Sequence, residues 1–198
     1  MSESATFSTA TLALHPVSPQ EAADRAALAH LAAAYCHAID RRDYALLRAL
    51  YHDDAIDNHA PFYTGPVDGF VAWLPGMMAN WAATSHTISS RLYLIDGDEA
   101  EGELATKAYH RMLDGTREFI AYGRYVDRYA KHQGIWKFAY RSLVLDYTED
   151  RAVEPRGAFG TEGAALGQAG ADDPVYAQLP RLRADRAARK AQPCRRSV

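Results

Sequence analysis

Residues 86–115, HTISSRLYLIDGDEAEGELATKAYHRMLDG, predict two long β-strands joined by a tight turn. Apolar and polar residues alternate on both sides of Asp96-Gly97-Asp98, and Asp114-Gly115 supplies the next turn signal. Two more runs of the same kind follow along the chain. The sequence therefore predicts four consecutive antiparallel strands, which cover residues 86–95, 99–113, 117–130 and 134–149.

Helical patterns precede these strands. Ser18-Pro19-Gln20-Glu21 has the composition of a capping box and predicts a helix that runs to about Arg41. Four further elements are predicted in order: a short helix over 44–51 capped by Asp43, a short strand near 55–59, a turn at 64–66 and a helix over 67–81. Helices on one side of an antiparallel sheet predict an α+β fold, a cone-shaped barrel of a curved, mostly antiparallel sheet closed by the N-terminal helices. Such a cone holds a cavity for a small ligand between the sheet and the first helix.

The chain divides into three predicted segments. Residues 1–17 are rich in Ser, Thr and Ala and predict a flexible N-terminal arm, 18–149 form the cone domain, and 150–198 form a C-terminal loop and arm. Asp172 to Tyr176 is interpreted as a docking arm. The basic run from Arg181 to Arg196 favours either an acidic partner or a frayed, solvated helix.

Composition excludes several classes of function. A net charge of −3 argues against nucleic-acid binding, and no apolar run is long enough to span a membrane. The two cysteines, Cys36 and Cys194, indicate neither a disulfide framework nor a thiolate metal site. Because there is no HExxH motif, phosphate-binding glycine loop or signal peptide, we expect a cytoplasmic protein without a metal or cofactor.

The end of the first helix, LAAAYCHAIDRRD over 31–43, carries Tyr35 and Asp40. Five residues separate them, so they diverge by roughly 140° around the helix axis. They share a site only if both line one wide cavity. The alternative is that Tyr35 lies in the core and Asp40 belongs to a solvated helix end with Arg41, Arg42 and Asp43.

Two strand residues are candidate partners for this pair. His86 shares its predicted face with Ile88, Ser90 and Leu92, so its imidazole points inward, where Asp40 could orient it as a base. Arg141 lies among apolar residues that include Ala139 and Leu143. A guanidinium in such surroundings needs a carboxylate or a substrate oxyanion as its partner.

Other side chains are candidates for contact with the ligand. Tyr109 and His110 are adjacent in a strand and face opposite sides, and alternation leaves open which one faces the cavity. His59 shares a face with Asp57 and is a candidate rim residue. The predicted apolar lining comprises Phe62, Trp73, Met77, Trp81 and Tyr122.

The order of elements, together with Tyr35, Asp40, His86 and Arg141, resembles the SnoaL-like enzymes of the nuclear transport factor two superfamily over 18–149. Within that group the chain is most similar to scytalone dehydratase, bile-acid 7α-dehydratase and hexachlorocyclohexane dehydrochlorinase. His110 falls near a second histidine of scytalone dehydratase. The segment YHDDAIDNHAPFYTG and the tail from GADDPVYAQLP are also similar to bacterial lyases that release formaldehyde from lignin-derived diarylpropanes.

The resemblance implies a cofactor-independent lyase. In it His86, oriented by Asp40, would remove a proton, and Tyr35 and Arg141 would stabilise the leaving group, which could be water, halide or formaldehyde. The substrate would be small and apolar, most naturally aromatic, and the chain would form a homodimer or homotrimer through the sheet. An isomerase or cyclase would use the same residues. A non-catalytic assembly subunit, such as the small subunit of a ring-hydroxylating dioxygenase, is the alternative from another class.

Overall fold

The structure, a computed structural model, describes residue 12 and residues 15–153 and 162–191. Its helices are α1 (Pro19–Asp40), α2 (Tyr44–Ala49), α3 (Val67–Met78), α4 (Pro174–Gln178) and α5 (Pro180–Ala191), with a single 3₁₀ turn at Gly170–Asp172. Its strands are β1 (Tyr51–His59), β2 (Tyr63–Pro66), β3 (Trp81–Asp96), β4 (Glu99–Met112), β5 (Arg117–His132) and β6 (Ile135–Ala152). None of the described helices is both long and apolar enough to cross a bilayer.

The six strands form one mixed sheet in the order β2-β1-β6-β5-β4-β3. Every neighbouring pair is antiparallel except β1 and β6, which run parallel. The α+β class is thereby confirmed. Within the described ranges no backbone ladder joins the edge strands β2 and β3, so the closed barrel stays a prediction.

The four long strands are confirmed, and their turns use Gly97 and Gly115 at φ of 59° and 72°, where glycine carries no steric penalty. The elements before them differ from the prediction. The expected turn at 64–66 is part of strand β2, and helix α3 ends at Met78, so that Trp81 begins β3. Strand β1 begins at Tyr51 instead of near residue 55, because Tyr51 pairs with Phe138 on β6.

Helix α1 begins as predicted, but only half of its capping box forms. The Ser18 hydroxyl accepts a hydrogen bond from the backbone N–H of Glu21 at 3.1 Å. The Glu21 carboxylate instead accepts from Arg25 at 2.6 Å. The helix packs against β3 and β6 on what we call the inner face of the sheet, where Leu28, Leu31 and Tyr35 are buried.

Two irregularities of the sheet set which side chains reach the inner face. The register of β3 shifts between Ile88 and Arg91, so the prediction that Leu92 shares a face with His86 is wrong: Leu92 is 48% exposed and Tyr93 is buried. On β6, Phe138 pairs with Tyr129 of β5 and Tyr140 pairs with the adjacent Arg128, so Ala139 has no partner on β5. Ala139 is thus the extra residue of a β-bulge, and it does not share a face with Arg141 as predicted.

The outer face of the sheet carries exposed apolar side chains. A groove of about 340 Å³ crosses it, lined in part by Leu92, Leu94, Val126 and Tyr140. Exposed apolar patches of this kind often mark interaction surfaces. The homodimer or homotrimer through the sheet stays a prediction, and the exposed apolar side chains of the outer face support it.

The C-terminal segment is more ordered than predicted. The described part of the basic run forms helix α5, and most of its residues are exposed, as the prediction of a solvated helix requires. The helix is not frayed, because it docks on the end of α1 through Arg186, which is 6% exposed. Asp173 and Tyr176 are also buried, as the docking-arm interpretation requires. Most of the predicted N-terminal arm and Cys194 lie outside the described residues.

Candidate active site

Asp40 and His86 meet where the end of α1 crosses the beginning of β3. The carboxylate accepts two hydrogen bonds from one residue: Oδ1 accepts from the His86 ring nitrogen Nδ1 at 2.8 Å, and Oδ2 accepts from the His86 backbone N–H at 2.9 Å. The two side chains are only 12% and 8% exposed. Asp40 is therefore not a solvated helix end, and this two-point contact fixes the orientation of the imidazole ring.

This contact also fixes the protonation pattern of the pair. Burial alone would raise the pKa of the Asp40 carboxyl, but the hydrogen bonds and charge of His86 outweigh burial and hold that pKa below its ordinary value. The carboxylate can only accept hydrogen bonds, so Nδ1 of His86 carries a proton. In the neutral ring the lone pair is then on Nε2, the nitrogen that does not face Asp40.

His110 lies next to His86 on the inner face and resolves the choice left open with Tyr109. Its ring contacts His86 edge-on at a centroid distance of 5.4 Å and lies 4.9 Å from the Trp81 ring. Tyr109 faces the other side, where its hydroxyl donates to Glu118. Burial, reinforced by the nearby His86, lowers the pKa of His110 to about 4, so this ring is neutral at neutral pH.

Two polar atoms here are buried without a partner. Neither Nδ1 of His110 nor Nε1 of Trp81 makes a hydrogen bond to any described residue. Unsatisfied buried polar groups cost free energy and call for an explanation such as an absent water or ligand. The two atoms are suited to a ligand oxygen, because indole N–H donates and imidazole nitrogen donates or accepts.

The depressed pKa of His110 predicts a pH dependence of stability. Between the unfolded pKa of about 6.5 and the folded value of about 4, the unfolded chain binds the extra proton, so the free energy of unfolding falls as pH falls through this window and is unaffected above it. We expect the stability loss from pH 7 to pH 5 to be smaller in His110→Phe than in the parent protein by about 2 kcal/mol.

Urea denaturation at the two pH values measures this difference. His30→Gln, which removes an exposed histidine from α1, is the matched control and is expected to follow the parent protein. Equal pH dependence of His110→Phe and the parent protein would show that His110 titrates normally in the folded state.

Arg141 is completely buried and paired. Its Nε and Nη2 donate to the two oxygens of Asp127 at 2.8 and 2.7 Å. Tyr35, Tyr125 and Phe138 surround the guanidinium, with ring centroids 4.0 to 4.1 Å from its carbon. The charge and hydrogen bonds of Asp127 overcome burial, which by itself would lower the pKa of Arg141, and keep that pKa well above its ordinary value. Nη1 has no hydrogen-bond partner among the described residues.

Tyr35 lies deeper in the core than Asp40. It is 2% exposed, and its ring makes an edge contact with Tyr125 at 5.5 Å. Burial raises its pKa well above the ordinary value, so the side chain is a neutral phenol.

His59 forms a second carboxylate–imidazole pair on strand β1. Its Nδ1 hydrogen-bonds Asp57, which is fully buried and also accepts from the Tyr51 hydroxyl at 2.8 Å. The His59 ring stacks on Phe70 of α3 at 5.1 Å. Asp57 pairs in register with Arg141, so this pair belongs to the inner face and not to an exposed rim.

The predicted apolar lining is only partly assembled. Trp73 packs on Tyr63 and Phe70, and Met77 is partly buried one turn further along α3. Phe62 is wrongly predicted, because it lies in the β1–β2 turn and is 63% exposed. Tyr122 is also wrongly predicted: it stacks on the exposed Tyr147 of the outer face, since alternation along β5 turns the neighbouring Gly123 inward.

The sequence interpretation missed three polar residues that support the site. Asp127 holds Arg141, Thr84 lowers the pKa of Asp40 by hydrogen bonding, and Arg42 donates to the Thr84 hydroxyl at 2.9 Å. A signal existed for Asp127, because it falls at inward spacing between Tyr125 and Tyr129. No local pattern identifies Arg42.

The described residues include no cluster of three or more His, Cys, Asp or Glu side chains arranged to hold a metal ion. Cys36 lies one helical turn before Asp40. Burial raises the pKa of its thiol to about 11, so it is not a thiolate nucleophile at neutral pH.

The sequence of the chain matches a known protein family. The family model described as the SnoaL-like domain matches residues 20–142, more than half of the chain. The chain belongs to the SnoaL-like family. This places it in the nuclear transport factor two superfamily, as the resemblance implied. No curated protein sequence matches this SnoaL-like chain.

Two solved structures illustrate its relatives. A protein of Novosphingobium aromaticivorans, named as a candidate scytalone dehydratase, is 27% identical with a TM-score of 0.61, covering 70% of this chain and 97% of its own. A type 3 hexachlorocyclohexane dehydrochlorinase of Novosphingobium barchaimii is 20% identical with a TM-score of 0.59, covering 68% of this chain and 97% of its own. The second likeness shows the fold alone. The SnoaL-like family also has non-catalytic members, and membership together with the 27% identical neighbour supports a lyase-type or related function.

Proposed function

We propose that this SnoaL-like protein is a cofactor-independent lyase in which His86 removes a proton from the substrate and Asp40 orients His86. The observation that carries the proposal is the two-point contact of the Asp40 carboxylate with the ring and backbone nitrogens of His86. Two bonds from one carboxylate hold the ring in a single orientation with its basic nitrogen directed away from Asp40.

The reaction balances with these groups alone. Nε2 of His86 takes a proton from carbon, the electron pair left behind forms a double bond, and the bond to the leaving group breaks with its electrons. The imidazolium formed at His86 is stabilised by Asp40. If hydroxide leaves, the same imidazolium returns its proton to give water, and if halide leaves, the proton passes to solvent. For release of formaldehyde, His86 takes the proton of a substrate hydroxymethyl group, the C–O bond becomes the carbonyl of formaldehyde as the carbon–carbon bond breaks, and the carbon that keeps the electron pair takes the proton back from the imidazolium.

Unpartnered donors on the inner face support a site for the leaving group. In our proposal the Trp81 indole N–H and neutral His110 hold the substrate oxygen or halide. Arg141 contributes through Nη1, its one nitrogen without a hydrogen bond to a described residue. Tyr35, packed on the same guanidinium, completes this group as a neutral phenol. Fixed donors in a dry site stabilise developing negative charge better than water does.

The proposed substrate is small, apolar and aromatic. Trp81 lies against His110, and Trp73 with Phe70 and Tyr63 forms an aromatic cluster on α3 and β2. Aromatic rings and a flexible Met77 suit a flat apolar ligand. The dehydratase and dehydrochlorinase names of the neighbours favour loss of water or of hydrogen halide among the possible leaving groups.

Product mass tests this proposal. The protein, treated with a chelator, is incubated with hydroxylated diaryl, chlorinated and sterol-like compounds, beside His86→Gln as the matched variant. We expect the parent protein, and not His86→Gln, to give a product lighter by water, hydrogen halide or formaldehyde. A product of unchanged mass would identify an isomerase or cyclase. If neither protein converts any compound of the panel, and titration detects no binding of aromatic ligands, the lyase proposal is wrong and a non-catalytic assembly subunit is favoured.

A further inference from the structure

The junction between α1 and α2 decides where the Asp40 carboxylate lies. Asp40 is the last residue of α1, and the chain then turns through Arg42, whose φ of 51° is in the left-handed region. A helix end leaves its last carbonyl groups without intrahelical donors. In α1 the backbone N–H groups of residues 41–43 hold the carbonyls of residues 37–39, so the position of Asp40 depends on the geometry of the turn that these residues form.

The C-terminal segment supplies donors to the carbonyls of this turn. Arg186 of α5 donates from Nη1 to the carbonyl oxygen of Arg41 at 3.0 Å and from Nη2 to that of Arg42 at 3.4 Å. A guanidinium at this position also complements the partial negative charge of a helix C-terminus. These two α5 contacts hold the turn that directly follows Asp40.

Three more contacts fasten the same junction. Arg189 of α5 donates to the Asp43 carboxylate at 2.8 Å, and Arg41 pairs with the buried Asp173 at 3.2 Å. The Tyr176 hydroxyl accepts from Arg186 at 2.5 Å and lies 3.1 Å from Nε2 of His37. The Arg186–Tyr176 bond lies within the C-terminal segment, and the other three contacts join residues 173–189 to residues 37–43. These contacts of the segment therefore converge on one place in the fold.

A direct line of hydrogen bonds runs from this junction to the catalytic pair. Arg42, whose carbonyl Arg186 holds, donates through Nη1 to the carbonyl of Ile39 at 2.8 Å and to the Thr84 hydroxyl at 2.9 Å. Thr84 in turn helps to lower the pKa of the Asp40 carboxyl, and Nη1 of Arg42 also lies 3.5 Å from the Asp40 carbonyl oxygen. Thr84 and His86 are two residues apart on the inner face of β3, so this line ties α1 to the strand that carries His86.

We propose that the segment formed by residues 162–191 is a brace that positions Asp40 against His86, acting through Arg186, the carbonyls of Arg41 and Arg42, and the Arg42–Thr84 contact. The segment lies outside the residues matched by the family model, which end at residue 142. Arg186 is a positioning residue in this inference. The positioning role rests on the contacts above, and only its kinetic consequence depends on the proposed lyase function.

Nuclear magnetic resonance of the protein without substrate tests the brace directly. The Nδ1 proton of His86 gives a far-downfield signal when it is held by a carboxylate, and Asp40→Asn identifies that signal by removing it. In Arg186→Ala we expect exchange of this proton with water to accelerate by about tenfold or more, since charge-assisted hydrogen bonds are lost. Arg183→Ala removes an exposed charge from the same helix and is the matched control, expected to leave the exchange rate unchanged.

Milder variants keep the test decisive if Arg186→Ala fails to fold. Tyr176→Phe removes only the hydroxyl that Arg186 contacts, and Thr84→Val removes only the last link to Asp40. Both are expected to accelerate exchange, Thr84→Val by more because it contacts Asp40. Arg186→Lys, which keeps the charge and one donor, is expected to restore part of the protection.

Kinetics on any substrate found by product analysis extend the test. For Arg186→Ala we expect kcat to fall about tenfold to a hundredfold while KM changes less than about twofold, because misplacement of the pair affects proton removal and not substrate binding. Exchange and kcat equal to those of Arg183→Ala would overturn the brace and leave the lyase proposal intact. Accelerated exchange in a protein that turns over no compound would support the brace and count against the lyase.

Discussion

Replacing Asp40 by asparagine is expected to lower kcat by about 10²- to 10⁴-fold with little change in KM. The carboxylate accepts from both Nδ1 and the backbone N–H of His86, whereas an amide has one accepting oxygen. If the amide oxygen keeps the backbone bond, the amide NH₂ group faces Nδ1. The ring must then carry its proton on Nε2, which removes the lone pair that takes the substrate proton.

Steady-state kinetics at neutral pH measure this loss. Asp54→Asn removes one exposed carboxylate from β1 and is the control, expected to retain parent activity. Circular dichroism and the thermal midpoint show whether both variants fold. A folded Asp40→Asn protein with parent kcat would eliminate His86 oriented by Asp40 as the catalytic base.

The second large effect is on stability. Asp127→Ala is expected to reduce the free energy of unfolding by about 3–5 kcal/mol, because Arg141 would remain buried as an unpaired cation. Asp127 and Arg141 are both 0% exposed and share two hydrogen bonds. Many domains have only about 5–15 kcal/mol of stability, so this change removes a large share of it.

Urea denaturation measures the loss, with Asp150→Ala as the matched control. Asp150 pairs with Arg117 on the surface, where the side chains are 57% and 53% exposed, and its loss is expected to cost less than about 1 kcal/mol. The double change Asp127→Leu with Arg141→Met is expected to recover most of the stability, since neither member of this pair is left as an unpaired buried charge. Equal costs for Asp127→Ala and Asp150→Ala would show that the guanidinium reaches water.

The regular parts of the fold were predictable because their signals are local. Alternation and the glycines at Gly97 and Gly115 define the four long strands without knowledge of distant contacts. Strand β2 was not predictable in this way. Tyr63 to Pro66 becomes a strand only because it pairs with residues 56–59 of β1, and Thr64-Gly65-Pro66 by itself has turn chemistry.

The same distinction applies to the site. Asp40 and His86 were candidates because an acid and a histidine stood in otherwise apolar patterns. Asp127 was overlooked because Arg124 and Arg128 lie on either side of it, and several charged residues in a row are typical of a solvent-exposed strand. Arg186 lies in a helix whose sequence is charged nearly all round, and its burial depends on the end of α1, more than 140 residues earlier in the chain.

Because of the bulge at Ala139, the number of residues in this part of β6 decides which side chains face the site. Without the bulge, regular alternation from Phe138 would direct Tyr140 and not Arg141 toward Asp127, and the extra residue Ala139 restores Arg141 to the inner face. Substitutions at this point of β6 leave the alignment of the strand intact, whereas a change in the number of residues that the bulge does not absorb exchanges the two surfaces of the strand beyond it. Engineering of this protein, and comparison with its relatives, must therefore count residues between Trp136 and Arg141 as strictly as it matches their identities.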